Sequence, residues 1–153
     1  MNSTIVGRFI AATPAAVYRA LVDPEAITRW MFPDGMTIKV HAFDGREGGE
    51  FRISLRYTSS DAPGKTTHDT DTYHGRFVKL VPGKLVLEIV EFETDDPALR
   101  GEMTITFRLT QSGDGTEIQA VHAMLPAGLR PDANEIGWQM ALGKLAALVE
   151  AVP

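Results

Sequence analysis

The alternation of apolar and polar side chains is sharpest at residues 51–57, where Phe51, Ile53, Leu55 and Tyr57 interleave with Arg52, Ser54 and Arg56. A period of two turns one set toward a dry face and the other toward water, which predicts a strand packed on one side. Met103, Ile105, Phe107 and Leu109 alternate in the same way with Thr104, Thr106 and Arg108. The turn Ser112-Gly113-Asp114-Gly115 then leads into a further strand, TEIQAVHAM at 116–124. Other strands are read at 4–11, at 37–41 and near 72–81, where Tyr73, Gly75 and Phe77 oppose His74 and Arg76. In the first of these Ile5, Gly7 and Phe9 share one face and Arg8 points away. LVLEIVEFE at 85–93 is apolar on both faces, as expected of a strand covered on both sides. Connections such as Val81-Pro82-Gly83-Lys84 are too short for parallel crossovers, so the strands should form an antiparallel meander. The polar stretch 58–71 reads as a long hairpin connection.

Two helices interrupt the strands early. Thr13 can cap a helix with Pro14 in its first position, Asp23-Pro24 repeats the device, and the pair closes on Trp30 and Met31. Val17 and Leu21 lie four apart on the buried stripe of the first helix. Helical periodicity returns at 132–150, where Trp138, Ala141, Leu142, Leu145, Leu148 and Val149, with Val152 beyond, form one broad apolar face. The concave side of the sheet is the only large apolar surface left to receive it. The expected fold is therefore α+β: a curved antiparallel sheet of about seven strands, two short helices after the first strand, and a long C-terminal helix packed across it, enclosing a pocket. Gly48-Gly49, with no strand-to-helix context, reads as a bulge or sharp bend that helps curl the sheet and not as a phosphate loop.

Composition narrows the classes of function. With 153 residues, 44% hydrophobic and 23% charged, one domain spanning 1–153 is expected. No apolar run approaches the ~20 residues of a membrane-spanning helix, and MNSTIVGRFI lacks the basic start and apolar stretch of a secretory signal, which points to a cytoplasmic protein. The absence of cysteine removes disulfides, thiol nucleophiles and thiolate metal sites. A net charge of −5 and arginines scattered from Arg8 to Arg130 argue against nucleic acid and anionic membranes as partners.

A family pattern emerges from particular residues. They are Pro14 and Val17; Asp23-Pro24-Glu25 with Trp30; Asp44, Arg46 and Gly48-Gly49; Gly75 and Val81-Pro82; Gly115-Thr116; His122 with Leu125-Pro126; and Gly137-Trp138 followed by Leu142, Leu145 and Leu148. In this order and spacing they resemble the SRPBCC (START-like, helix-grip) superfamily over nearly the whole chain. Within it the chain is similar to the group of the C-terminal domain of the activator of the heat-shock protein 90 ATPase. The connection at 58–71 departs from that group in being longer and more polar. The resemblance implies the helix-grip fold and leaves function open, since ligand carriers, lipid-transfer domains, polyketide aromatase/cyclases and chaperone regulators share the scaffold.

Candidate chemistry is sparse. Among the histidines, His122 continues the apolar series Ile118, Ala120 and should face the concave interior, whereas His41 and His74 share faces with Lys39 and Arg76. The plainest role for His122 is a buried side chain bonded to backbone or to Tyr73; ligand contact and acid–base catalysis come after it. His68, Asp69, Asp71 and His74 hold metal-ligand chemistry but lack a compact spacing, and a solvated loop is the simpler account. Glu88 and Glu91 must occupy opposite faces, so at most one reaches the pocket; a strand end meeting solvent is the ordinary explanation, and an inward carboxyl would have a raised pKa. Trp30 and Trp138 suit either core or an aromatic clamp. Gly137 and Gly143 either permit close packing or leave space where helix meets sheet.

The leading expectation is a non-enzymatic binding domain for a small hydrophobic or amphipathic molecule, as a monomer or homodimer and with no cofactor. Its cavity-lining candidates are Trp30, Phe51, Tyr73, Phe77, Met103, Ile105, His122, Trp138 and Leu142. A chaperone-regulating interaction domain is the second expectation. An aromatase/cyclase-like enzyme using His122 or a strand-five glutamate is the third.

Overall fold

The computed structural model describes residues 2–58 and 69–150. Its strands are β1 (Ser3–Ile10), β2 (Met36–Phe43), β3 (Glu50–Tyr57), β4 (Thr70–Val81), β5 (Leu85–Phe92), β6 (Met103–Ser112) and β7 (Gly115–Ala123). Helices α1 (Pro14–Val22) and α2 (Pro24–Trp30) follow β1, and α3 (Pro131–Glu150) closes the chain. The strands form one antiparallel sheet in the order β1-β7-β6-β5-β4-β3-β2. Meander connections place β2 to β7 in sequence, and β1 completes the sheet beside β7. This is the helix-grip α+β architecture.

The local signals act as elementary chemistry requires. Thr13 accepts from the Ala16 amide at 3.2 Å and Asp23 from the Glu25 amide at 3.1 Å, each capping a helix that opens on proline. Val17, Leu21 and Ile27 are buried against the sheet. On α3, Ala141, Leu142, Leu145 and Val149 are buried, while Val152 lies outside the described residues. The two ends of α3 are fastened to β1 and to the residue that follows it. Asn134 donates to Thr4 Oγ1 at 3.2 Å near the start, and the Ala11 amide donates to Glu150 Oε2 at 2.8 Å near the end.

Three readings of the sequence require correction. Ile5, Gly7 and Phe9 share a face, but it is the solvent face: Ile5 is 57% and Phe9 49% exposed. Antiparallel partners lie on the same side of a sheet, and β7 turns Thr116, Ile118, Ala120 and His122 inward, so their partners Ile10, Arg8, Val6 and Thr4 face the helix side. Arg8 thus lies on the α3 side, beside Gly143. Gly48-Gly49 closes the β2–β3 connection, with Gly48 at φ 79° and its amide donating to Phe77 O at 2.8 Å. The irregularities that bend the sheet are instead between Val40 and Ala42 and between Phe77 and Lys79. Finally, β4 begins at Thr70, so Asp71 belongs to the strand and not to the connection; residues 59–68 of that connection lie outside the described residues.

Candidate ligand cavity

A cavity of about 470 Å³ lies between the inner face of the sheet and the first half of α3. Its floor comes from side chains that alternate inward along the central strands: Leu55 and Tyr57, Asp71 and Tyr73, Val90 and Phe92, Met103 and Ile105, and His122. Asn134, Gly137, Trp138 and Ala141 roof it, and Phe32, Pro33, Ile136 and Met140 stand at its lip. Ile136 and Met140, one helical turn apart, are 53% and 37% exposed. Apolar side chains at a lip with this much water contact are what an entrance to an apolar cavity presents.

Five of the nine candidate residues, Tyr73, Met103, Ile105, His122 and Trp138, are in the wall. Trp30, Phe51, Phe77 and Leu142 are not; all four are core, between 0% and 3% exposed. Trp30 is fixed beneath the helices, where its Nε1–H donates to Ala20 O at 2.8 Å and its ring meets Phe107 edge-on at 6.2 Å. Phe107 also meets Trp138, at 5.6 Å, and so fills the space between the two tryptophans that a clamp would need. Phe51 and Phe77 pack on each other at 5.2 Å and on Phe43, forming an aromatic cluster under the β2–β3 connection that backs the wall where Phe51 meets Tyr73 edge-on at 6.5 Å. Leu142 lies one residue beyond the last α3 wall residue, where the helix settles onto the core.

His122 is 6% exposed and faces inward, but its partners are neither backbone nor Tyr73. The Trp138 indole Nε1–H donates to its Nδ1 at 3.1 Å, and the Asn134 amide nitrogen lies 3.0 Å from the same atom. An indole N–H can only donate, so Nδ1 is the acceptor and the ring proton sits on Nε2, facing the Met103 sulfur at 3.2 Å. Burial pushes the pKa of His122 down to about 4, and protonating Nδ1 would set two N–H groups against each other. His122 is a neutral member of the wall that holds α3 to β7.

The residues that the sequence reading placed in solvent are Asp71 and Glu88. Asp71 is 3% exposed and borders the cavity; its parity with Tyr73 and Phe77 was the available signal. Glu88, also 3% exposed, points inward from the middle of β5, between Phe77 on β4 and Ile105 on β6. Its Oε1 has no hydrogen-bond partner, and burial pushes its pKa up to about 8. The strand-end explanation therefore fails for Glu88. It holds for Glu91, which faces out toward His74 at 3.5 Å. The metal-type residues are dispersed: Asp69 pairs with Arg56 at 2.8 Å, His74 lies 3.1 Å from Glu93, Asp71 turns inward, and His68 lies outside the described residues. Among the described residues no group of three such side chains is placed to hold a metal ion.

A curled antiparallel sheet gripping a long helix over an apolar cavity defines the helix-grip class of the SRPBCC superfamily. A family model described as activator of Hsp90 ATPase homolog 1-like protein matches residues 11–150, and the chain belongs to that family. Protein CV1439 from Chromobacterium violaceum is similar in structure, with a TM-score of 0.87, 33% identity and 97% of each chain covered. A protein from Rhodobacter sphaeroides superposes with a TM-score of 0.80 at 20% identity over 99% of this chain and 93% of its own. Protein NE0264 from Nitrosomonas europaea gives 0.73 at 22% identity, covering 97% and 94%. No functionally curated protein matches the chain. Among the described residues no helix is long and apolar enough to cross a membrane.

Proposed function

We propose that this domain binds a small hydrophobic or amphipathic molecule between its sheet and α3, without converting it chemically. The observation that carries the reading is the cavity itself: about 470 Å³, within the ordinary range for small-molecule sites, walled mainly by apolar side chains and entered past Ile136 and Met140. Burying ~300 Å² of apolar ligand surface at ~25 cal/mol/Å² supplies roughly 7 kcal/mol before association costs of several kcal/mol, so micromolar affinity or weaker is expected without further chemistry. Binding of hydrophobic molecules is also typical of this fold.

Titration with the neutral fluorophore Nile red tests the reading. Saturable binding, competed by octanol, is the expected result. Failure to bind Nile red or octanol at their solubility limits would remove it. Membership in a family described by a chaperone ATPase activator favours a second reading, contact with such a chaperone. Unchanged ATP turnover of heat-shock protein 90 with the domain in excess would dismiss that one.

A further inference from the structure

Most polar side chains of the cavity wall are engaged within the protein. Asp34 pairs with Lys144 at 2.5 Å and Arg130 with Asp132 at 2.8 Å. Asn134 directs its amide nitrogen to Thr4 Oγ1 and His122 Nδ1, and Trp138 donates to the same imidazole nitrogen. Tyr57 and Asp71 are not free either. Tyr73 is different. It stands on the inner face of β4 beside its register partners Ile53 and Phe92, and its ring meets that of Phe51 edge-on, which leaves the residue 8% exposed. Its hydroxyl has no hydrogen-bond partner among the described residues, yet the fully enclosed side-chain atom without a partner is Glu88 Oε1. The Tyr73 oxygen therefore keeps accessible surface, and on an inward residue of a central strand that surface opens on the cavity the residue lines. Burial, with the Glu88 carboxyl adding to it, pushes the phenol up from its ordinary value of 10.0, so the group keeps its proton and stays a donor.

We propose that the Tyr73 hydroxyl is the polar anchor of the cavity and donates a hydrogen bond to an acceptor oxygen, a ketone or ester carbonyl, on an otherwise apolar ligand. This rests on the binding reading above and adds the chemistry of the ligand and the residue that orients it. Apolar sites fix the pose of their guests with a few well-placed polar groups. A carbonyl that leaves water for such a site is disfavoured unless a donor replaces the hydrogen bonds it sheds, and Tyr73 supplies that donor. The phenol is placed by two side-chain torsions and held by its ring, so little freedom is lost when it bonds. With the oxygen anchored on β4, the apolar remainder of the ligand lies against Val90, Phe92, Met103 and Ile105 of the same wall.

The test is a cycle of two ligands and two proteins: benzylacetone and butylbenzene, each titrated into the parent and into Tyr73→Phe and followed by the amide NMR shifts of the protein. The ligands share one carbon skeleton and differ by the carbonyl oxygen, and the proteins differ by the hydroxyl alone. Tyr73→Phe should weaken benzylacetone about three- to tenfold, the worth of one hydrogen bond, and leave butylbenzene unchanged. The carbonyl stretching band of bound benzylacetone should lie at lower frequency in the parent than in the variant. Because the hydroxyl bonds nothing in the free protein, Tyr73→Phe should unfold at the same denaturant concentration as the parent. Equal benzylacetone affinity in both proteins, an equal loss for both ligands, an unmoved carbonyl band or a destabilised variant would each overturn the anchor, with butylbenzene binding to the parent leaving the cavity reading in place. Failure of both ligands and of Nile red to bind the parent would overturn the two together.

Discussion

The indole of Trp138 and the imidazole of His122 meet at 89°, centroids 6.0 Å apart, with the indole N–H donating to Nδ1. One side chain comes from the gripping helix and the other from β7, so this hydrogen bond, with Asn134 3.0 Å from the same atom, joins the two layers at the wall of the cavity. It also fixes the histidine tautomer, since the indole leaves Nδ1 no proton. Trp138→Phe keeps an aromatic ring, although a smaller one, and deletes the donor. The variant should lose about 1–2 kcal/mol of stability, the usual cost of removing a partner from a buried polar group. His122 should titrate nearer its ordinary value than the low value of about 4 imposed in the parent. Denaturant unfolding and NMR titration of His122 check the two parts.

Glu88 and His122 oppose one another in the pH dependence of stability. Between its ordinary 4.5 and about 8, folded Glu88 holds a proton that the unfolded chain releases, so stability falls as pH rises through that window. Between about 4 and 6.5 it is the unfolded chain that holds a proton on His122, so stability rises with pH there. Where the windows overlap the two slopes cancel. From about pH 6.5 to 8 Glu88 acts alone, and its contribution amounts to about 2 kcal/mol lost over that interval. Glu88→Gln should remove this loss and be the more stable protein at pH 8. Parallel stability curves for parent and variant across that range would contradict the assignment.

Gly75 is required by its surroundings and not by its backbone angles. A Cβ there would lie 2.2 Å from Ile89 O and 2.7 Å from the Phe51 ring, where β4 passes under the aromatic cluster. Neither neighbour can retreat without breaking the β4–β5 ladder or the Phe51–Phe77 contact. Gly75→Ala should therefore cost about 3 kcal/mol or more, at the upper end for overpacking. Thermal unfolding measures it; a shift in melting temperature of only a degree or two would show that the strand relaxes freely.

Much of this fold was legible because periodicity and turn chemistry agree. The proline-opened helices, the alternation in β3 and β6 and the apolar stripe of α3 each admit one assignment. Periodicity shows which residues share a face but not which face is inside, and β1 demonstrates the difference. Ile5 and Phe9 are as apolar as Val6 and Ile10, and only pairing with β7 decides between them. The same ambiguity placed Glu88 in solvent, because a strand apolar on both faces carries no parity signal for a lone carboxylate. The cavity was harder still. Trp30, Phe51, Phe77 and Leu142 share the inward parity or apolar character of the wall residues, and whether such a side chain borders space or fills it depends on where α3 lifts away from the sheet. No local pattern records that separation.

Gly137 marks the place where it does. A Cβ at Gly143 would come 3.8 Å from the Arg8 guanidinium, whereas one at Gly137 would have only the Pro33 Cβ at 3.9 Å as a neighbour, with the cavity beside it. Both glycines therefore tolerate a methyl group, but only Gly137 faces room that a larger side chain would occupy. Gly137→Ala should stabilise the protein by about 0.5–1 kcal/mol, since alanine restores helix propensity without a clash. Nile red binding should persist in that variant. Gly137→Phe directs a large ring across the space roofed by α3 and should abolish dye binding while leaving the fold intact. Dye fluorescence and circular dichroism on the pair separate the outcomes. Full dye binding by a folded Gly137→Phe protein would place the occupied space elsewhere in the molecule.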